Sequence, residues 1–333
     1  MKILVTGAAG FIGSNLVKTL SKEGHQLKAI DSFTDYYSVE LKRFRVQELL
    51  DRTGIEVVSL ELSDILQVND LFKSNNFDTV IHLAAQPGVR LQFNENFKYV
   101  RDNLVGFSNL AIESSINGVK NFLYASSSSV YGNTNEESFS ENQLNLQPIS
   151  FYGATKLSNE KLAYALSKSS ATRFRGLRFF TVYGPGGRPD MAYFKLINSA
   201  LNSTDFKLFG NGDKKRDFTY IDDVVMCVSK LTAELESRPE GFADVVNVGG
   251  GKPASMSHLI ELVAKNCGTA PNILEEENYF GDVNFTNASV EYLNSLINHG
   301  KFINLETGVK KTVDWALKLE DISCLARWTE ESE

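Results

Sequence analysis

The sequence predicts an α/β fold: a doubly wound, Rossmann-type parallel sheet joined to a smaller, irregular α/β substrate-binding domain. Three observations predict it. Short β-branched runs alternate with longer periodic segments from residue 2 onward, a glycine-rich turn directly follows the first run, and the texture becomes loop-heavy after about residue 180.

KILVT is the first strand and runs into GAAGFIG, where Gly7, Gly10 and Gly13 stand three residues apart at the mouth of a helix over 11–23. Glycines there let the backbone turn tightly and approach a pyrophosphate, which sits on the free N–H groups of the helix. The spacing is G-x-x-G-x-x-G rather than G-x-G-x-x-G, so strand, loop and helix must be in register for it to count. QLKAID is the second strand, and its Asp31 falls 18 residues beyond Gly13. A carboxylate at that point accepts from an adenosine ribose and repels a 2′-phosphate, which favours NAD over NADP.

The alternation continues with a helix over 38–52, EVVSLEL, a helix over 65–75, TVIHLA, a helix over 95–117, NFLYAS, a helix over 152–170 and FRGLRFF. Then come YGPGGRPD and FGNGDKK, while DVVNVGGG at 244–251 again reads as strand plus turn and can rejoin the first sheet. The expected division is residues 1–180 for NAD, with returning segments near 215–235 and 244–250, and 181–333 mainly for substrate.

Of 333 residues, 42% are hydrophobic and 23% charged, as in globular enzymes. With 34 basic against 41 acidic residues the net charge is −7, and no long run of one sign occurs, which argues against nucleic acid and membrane as partners. The apolar start of MKILVTGAAG is too short for a signal peptide. Cys227, Cys267 and Cys324 are odd in number and far apart, which predicts no disulfide framework and a reduced, cytoplasmic setting. His25, His82, His258 and His299 are isolated, so no metal is expected.

The chemistry centres on FYGATK. Tyr152 and Lys156 are i and i+4 and share a helix face. A phenol titrates at ~10, and neighbouring positive charge favours its phenolate, so the pair can remove a hydroxyl proton while hydride leaves the same carbon. Alone, such a pair is common on solvated helix faces. Upstream, NFLYASSSSVYG brings a strand into a serine cluster, at the strand end where open α/β sheets bind ligands. Composition alone also allows a plain serine-rich turn there.

Together, GAAGFIG, Asp31, ASSSSVYG and Y-x-x-x-K resemble the extended short-chain dehydrogenase/reductase superfamily along nearly the whole chain. The resemblance implies NAD as cofactor and Tyr152, Lys156 and Ser127 as catalytic residues, with Lys156 also holding the nicotinamide ribose. It implies Asn103, in RDNLVGFSNL, as the residue ordering the central helix, and a homodimer pairing the helices near 95–117 and 152–170. Phe11, Ile12, Ser32, Leu62, Leu83, Ala84, Ala85, Gln86 and Phe180 fall at its cofactor positions. Glu61 stands where the family usually has an aspartate at the adenine.

Family dehydratases and decarboxylases carry Asp or Glu just after the catalytic Ser or Thr, whereas Ser128 and Ser129 follow Ser127 here. Without that carboxylate the simplest cycle is redox-neutral epimerisation. DSFTDYYSVELKRFRVQELL, LRFFTVYGPGGRPDMAYFKL and FGNGDKKRDFTYIDD resemble UDP-glucuronate 4-epimerases in particular. That likeness implies a UDP-sugar substrate, with Arg188 and Arg216 at its phosphates, Thr181 at the sugar and Asp282 at the uridine ribose. Ser128, Thr181 and Arg90 are then anchors for the carboxylate of a 4-keto glucuronate, which would otherwise leave as carbon dioxide. Bland readings stand beside these: Arg216 pairing with Asp217, Arg188 capping a loop, Asp282 in a turn. Asn284 and Ser289 depart from the usual Pro and Asp of the segment after GDV. The alternatives are a 4-epimerase of UDP-glucose or a UDP-N-acetylhexosamine, a dehydratase or decarboxylase, and an NAD-binding regulator without catalysis.

Overall fold

The computed structural model describes residues 1–50, 53–89, 91–134, 136–277, 283 and 285–330. Arg90, Asp282 and Asn284 lie outside them. In chain order the strands are β1 (Lys2–Thr6), β2 (Gln26–Asp31), β3 (Val57–Ser59), β4 (Thr79–His82), β5 (Asn121–Ser127), β6 (Arg173–Phe179), β7 (Thr181–Tyr183), β8 (Asp205–Phe209), β9 (Lys215–Tyr220), β10 (Ala243–Val248), β11 (Pro253–Ser255) and β12 (Asn272–Glu276). The helices are α1 (Phe11–Lys22), α2 (Val39–Leu50), α3 (Ile65–Lys73), α4 (Phe97–Tyr99), α5 (Gly106–Ile116), α6 (Phe151–Ser167), α7 (Ala192–Asn202), α8 (Ile221–Leu235), α9 (Met256–Cys267), α10 (Glu291–Leu296), α11 (Leu305–Ala316) and α12 (Cys324–Glu330).

Seven strands form one sheet in the order β10-β6-β5-β4-β1-β2-β3, every neighbouring pair parallel. Strands buried on both faces must be apolar throughout, and Ile3, Leu4 and Val5 are fully buried in β1. One face packs α1, α2 and α8 through Leu16, Val17, Leu41, Val224 and Val228; the other packs α3 and α5 through Val68, Phe72, Phe107 and Leu110. The order reverses at β1 and β4, so the crevice opens beyond the carboxyl end of β1, where the glycine turn stands.

DVVNVGGG does rejoin this sheet: β10 pairs with β6, Val246 opposite Leu177. The segment 215–235 divides, its α8 half packing on α1 while β9 joins a small sheet ordered β11-β9-β7. β8 and β12 form a separate parallel pair.

The expected helix over 95–117 is not continuous. A 3-10 turn at Phe93–Glu95 leads into α4, a π-helical stretch at Val100–Val105 and then α5. The buried Asn103 lies in that π stretch: its Oδ1 accepts from the Gln86 amide at 2.8 Å, while Nδ2 donates to Gln86 O and Thr155 Oγ1, each at 3.2 Å. Bonds to residues 17 and 52 positions away hold the wide turn where a regular helix would carry Asn103 past them.

Candidate active site

The cofactor end follows from β1. Gly10 is the N-cap of α1 and has no capping side chain, so the amides of the first turn stay open to an anion. A Cβ on Gly13 would lie 2.0 Å from the Gly7 carbonyl oxygen, and one on Gly7 2.7 Å from the Ala84 nitrogen. The turn therefore closes only with glycine at both places, and it presents bare backbone to the crevice. Asp31, at the end of β2, fixes this turn as well as facing the crevice: its Oδ2 accepts from Ala9 N at 3.0 Å and its Oδ1 from Phe33 N at 2.7 Å.

A cleft of ≈ 1270 Å³ runs from the glycine turn to the small sheets. Gly7, Gly10, Phe11, Ile12, Gly13, Asp31, Ser32, Glu61, Leu62, Leu83, Ala84, Ala85 and Phe180 all line it, as do Ser127, Ser128, Tyr152, Lys156, Thr181, Arg188 and Arg216. Gln86 and Asn103 stand behind that wall, buried. Glu61 folds its carboxylate onto Ser63, accepting from its N–H and its hydroxyl at 3.2 and 3.1 Å. Arg216 Nη1 donates to Lys215 O at 3.0 Å. Asp217, read as its possible partner, accepts from the amides of Gly250, Gly251 and Ala288 at 2.8–3.0 Å.

Tyr152 and Lys156 come from the first turns of α6, which starts where Ser150 Oγ accepts from Gly153 N at 3.0 Å. Glu160 is one turn further along. It accepts from Ser126 Oγ at 2.6 Å and from Arg178 through both oxygens at 2.9 and 2.8 Å, which pins α6 to β5 and β6. Ser127, next to Ser126, donates to Ser129 Oγ at 3.1 Å and accepts from Ser129 N at 3.1 Å.

The electrostatics differ from the simple pairing of a phenol with its neighbouring ammonium. Burial raises the Tyr152 pKa above its ordinary value; the Arg188 charge and hydrogen bonding with Ser127 oppose that rise. Lys156 Nζ lies 5.7 Å from the Tyr152 ring centroid and donates to Ala125 O at 2.9 Å. Its own pKa is pushed down to about 8 by burial. Among the described groups, the cation that favours the phenolate is therefore Arg188.

Arg188 forms a fork with Asp190, Nε to Oδ1 at 3.0 Å and Nη2 to Oδ2 at 2.5 Å. Burial works against the charge on both, but the pair outweighs it, raising the arginine pKa and lowering the carboxyl. Tyr36 Oη reaches Asp190 Oδ2 at 3.4 Å. The Tyr99 ring lies tilted 6.0 Å from the Tyr152 ring, its hydroxyl donating to Gly88 O at 2.8 Å. Sequence reasoning missed Tyr36, Tyr99 and Asp190. The Arg-Pro-Asp spacing was the one available signal, since a carboxylate two residues after an arginine can close a fork on it.

A model of the NAD dependent epimerase/dehydratase family matches residues 3–249. The chain belongs to that family. UDP-glucuronate 4-epimerase 4 of Arabidopsis thaliana is 39% identical over 328 residues, 95% of this chain and 75% of its own. The UDP-glucuronic acid 4-epimerase from Bacillus cereus, in complex with UDP-glucuronic acid and NAD, superposes with a TM-score of 0.86 at 34% identity, covering 96% of this chain and 99% of the other. MoeE5 in complex with UDP-glucose and NAD gives 0.84 at 33%, with the same coverage. As a member of the NAD dependent epimerase/dehydratase family the chain uses NAD, and its residues fit it: the bare glycine turn suits a pyrophosphate and Asp31 a ribose. Among the described residues no cluster of His, Cys, Asp and Glu could hold a metal ion, and no helix is long and apolar enough to cross a membrane.

Proposed function

We propose that this chain inverts C4 of UDP-glucuronate to give UDP-galacturonate. The broader statement, NAD-dependent epimerisation of a UDP-sugar at C4 through a keto intermediate, rests on the family and the relatives above. The choice of glucuronate is carried by one observation. Arg188 acts on Tyr152 from within a cleft that Ser128 and Thr181 also line, so the cleft offers a cation and two hydroxyls as donors to a carboxylate on C5.

Held on the glycine turn and by Asp31, NAD would supply reversible hydride acceptance at C4, so that the net reaction would consume no oxidant. Tyr152 takes the O4 proton as the carbonyl forms and gives it back as the carbonyl is reduced. Ser127, within hydrogen-bonding influence of Tyr152, holds O4 in line with the phenol. Lys156, fixed by Ala125 O, stands where it can also grip the nicotinamide ribose. Ser128 and Thr181, with Arg188 taking the carboxylate in this reading rather than the phosphate role expected of it, keep the carboxylate turned so that the ketone does not drive loss of carbon dioxide. Arg216 lines the cleft toward the small sheets and serves the phosphates.

A homodimer fits the surface. Phe97, Val100, Val105, Ile112 and Ile116 on the α4–α5 segment, and Phe151, Leu162 and Tyr164 on α6, are exposed, Ile116 at 70% and Phe97 at 60%. Such a patch suits burial against a second copy.

Initial rates on UDP-glucuronate, UDP-glucose and UDP-N-acetylglucosamine test the substrate. A preference of at least tenfold in kcat/KM for UDP-glucuronate is expected; equal rates on UDP-glucose would remove the carboxylate from the account.

A further inference from the structure

Arg45 is a buried charge that the mechanism above does not use. It projects from α2 and is 1% exposed, yet all of its described acceptors are uncharged. Nε donates to Gly186 O at 2.6 Å, Nη2 to Gly187 O at 2.8 Å and Nη1 to Tyr37 Oη at 2.7 Å, with Ala9 O further off at 3.4 Å. A buried guanidinium ordinarily faces a carboxylate. Here it satisfies carbonyls of a turn that no sheet partners, and Gly186 reaches that turn at φ +64.

The two ends of this link are the two halves of the cleft. Ala9 lies between Gly7 and Gly10, and its N–H is already on Asp31. Gly186 and Gly187 immediately precede Arg188, and Gly187 has no room for a side chain, since a Cβ would stand 1.6 Å from Tyr193 Oη. The cofactor turn and the turn that sets Arg188 are therefore held on one guanidinium, 141 residues away in sequence from the second.

We propose that Arg45 is a positioning residue for the epimerisation: by holding the Gly186–Gly187 carbonyls beside the cofactor turn, it fixes where Arg188 stands relative to Tyr152. The inference rests on Tyr152 being the acid/base. Among the described residues, the charged and titratable groups around Tyr152 are Lys156 on its own helix, Tyr99 from α4, and Arg188 with Asp190 and Tyr36 behind it; Ser127 of β5 adds its hydroxyl. Of the cations, Arg188 is the one whose place depends on Arg45. If its backbone turn drifts, the phenolate loses that support and Tyr152 ionises at higher pH.

The test is the pH profile of kcat/KM on a turned-over UDP-sugar for wild type, Arg45→Lys, Arg188→Met and the double variant, with Tyr37→Phe, which removes one hydroxyl, as the milder probe should Arg45→Lys fold poorly. Arg45→Lys is expected to move the acidic limb to higher pH by about one pH unit, losing about tenfold along the limb, with the gap to wild type closing only where Tyr152 is ionised in both proteins. In the Arg188→Met background it should add nothing. Tyr37→Phe should move the limb in the same direction by less. An unmoved limb in both single variants, with activity lost equally at every pH, would show a merely structural strut and overturn the proposal, as would losses that multiply in the double variant. Failure of the underlying reading looks different: wild type without turnover, or Tyr152→Phe with full turnover.

Discussion

The Lys156 ammonium lies 5.7 Å from the centroid of the Tyr152 ring, one turn along the same helix, and donates to the carbonyl of Ala125 rather than to the phenol. The contribution proposed for it is thus one of placement and of contact with the cofactor ribose. Replacing Tyr152 by Phe removes the proton carrier and nothing else of bulk, so kcat should fall by about 10²–10⁴ while NAD binding, followed by fluorescence quenching, stays within twofold.

Burial holds Lys156 at about 8, below the ordinary 10.5, so the unfolded chain binds the extra proton more tightly. The folded state bears this cost in full below about pH 8, and stability rises as pH increases from 8 to 10.5. Lys156→Met should therefore be inactive yet more stable than wild type at pH 7, by about 1–3 kcal/mol once the lost bond to Ala125 is set against the relieved charge. Denaturant unfolding at pH 7 and pH 10 checks both sign and window, since the advantage should shrink at the higher pH.

The Arg188–Asp190 fork predicts a split between the sugar and the cofactor. Asp190→Asn leaves the guanidinium with a neutral partner at 26% side-chain exposure, free to reorient. KM for the UDP-sugar should rise severalfold to tenfold while the NAD dissociation constant does not move, as titration calorimetry with each ligand can show.

At the glycine turn the steric demand is graded. Gly13→Ala brings a Cβ to 2.0 Å from Gly7 O, against 2.9 Å for Gly10→Ala, and both obstacles are backbone. NAD affinity and thermal stability should both suffer more from Gly13→Ala, with a loss of about 2 kcal/mol or more in stability.

Glu160 anchors the catalytic helix through Arg178, both side chains almost fully buried. Glu160→Gln strips the charge from one partner and leaves the other uncompensated, which should cost about 3–5 kcal/mol in urea unfolding.

The main sheet was legible because strands buried on both faces need continuous β-branched and apolar runs, and KILVT and QLKAID match β1 and β2 residue for residue. The break in the 95–117 helix was not, because it follows from Asn103 reaching Gln86 and Thr155, which no local period encodes. The short strands β7, β9 and β11 likewise depend on partners far away in sequence. At the site, the glycine turn is legible from its spacing and its place after β1, whereas Tyr152, Lys156 and Ser127 were singled out by the family resemblance. Tyr36 reaching Asp190 and Arg45 reaching Gly186 span 154 and 141 residues and exist only once the two halves of the cleft meet. The balance on the phenol is not legible from spacing for the same reason: i and i+4 place Lys156 nearby, while burial, Arg188 and Ser127 act on Tyr152 through the fold.

The central claim is that one hydride leaves C4 and returns to the same carbon while Tyr152 carries the O4 proton. UDP-glucuronate bearing deuterium at C4 is incubated with the enzyme and NAD in ordinary water, and the product is read by NMR. UDP-galacturonate retaining the deuterium at C4 is the predicted result; product carrying solvent hydrogen at that carbon, or no galacto-configured product at all, would contradict the account.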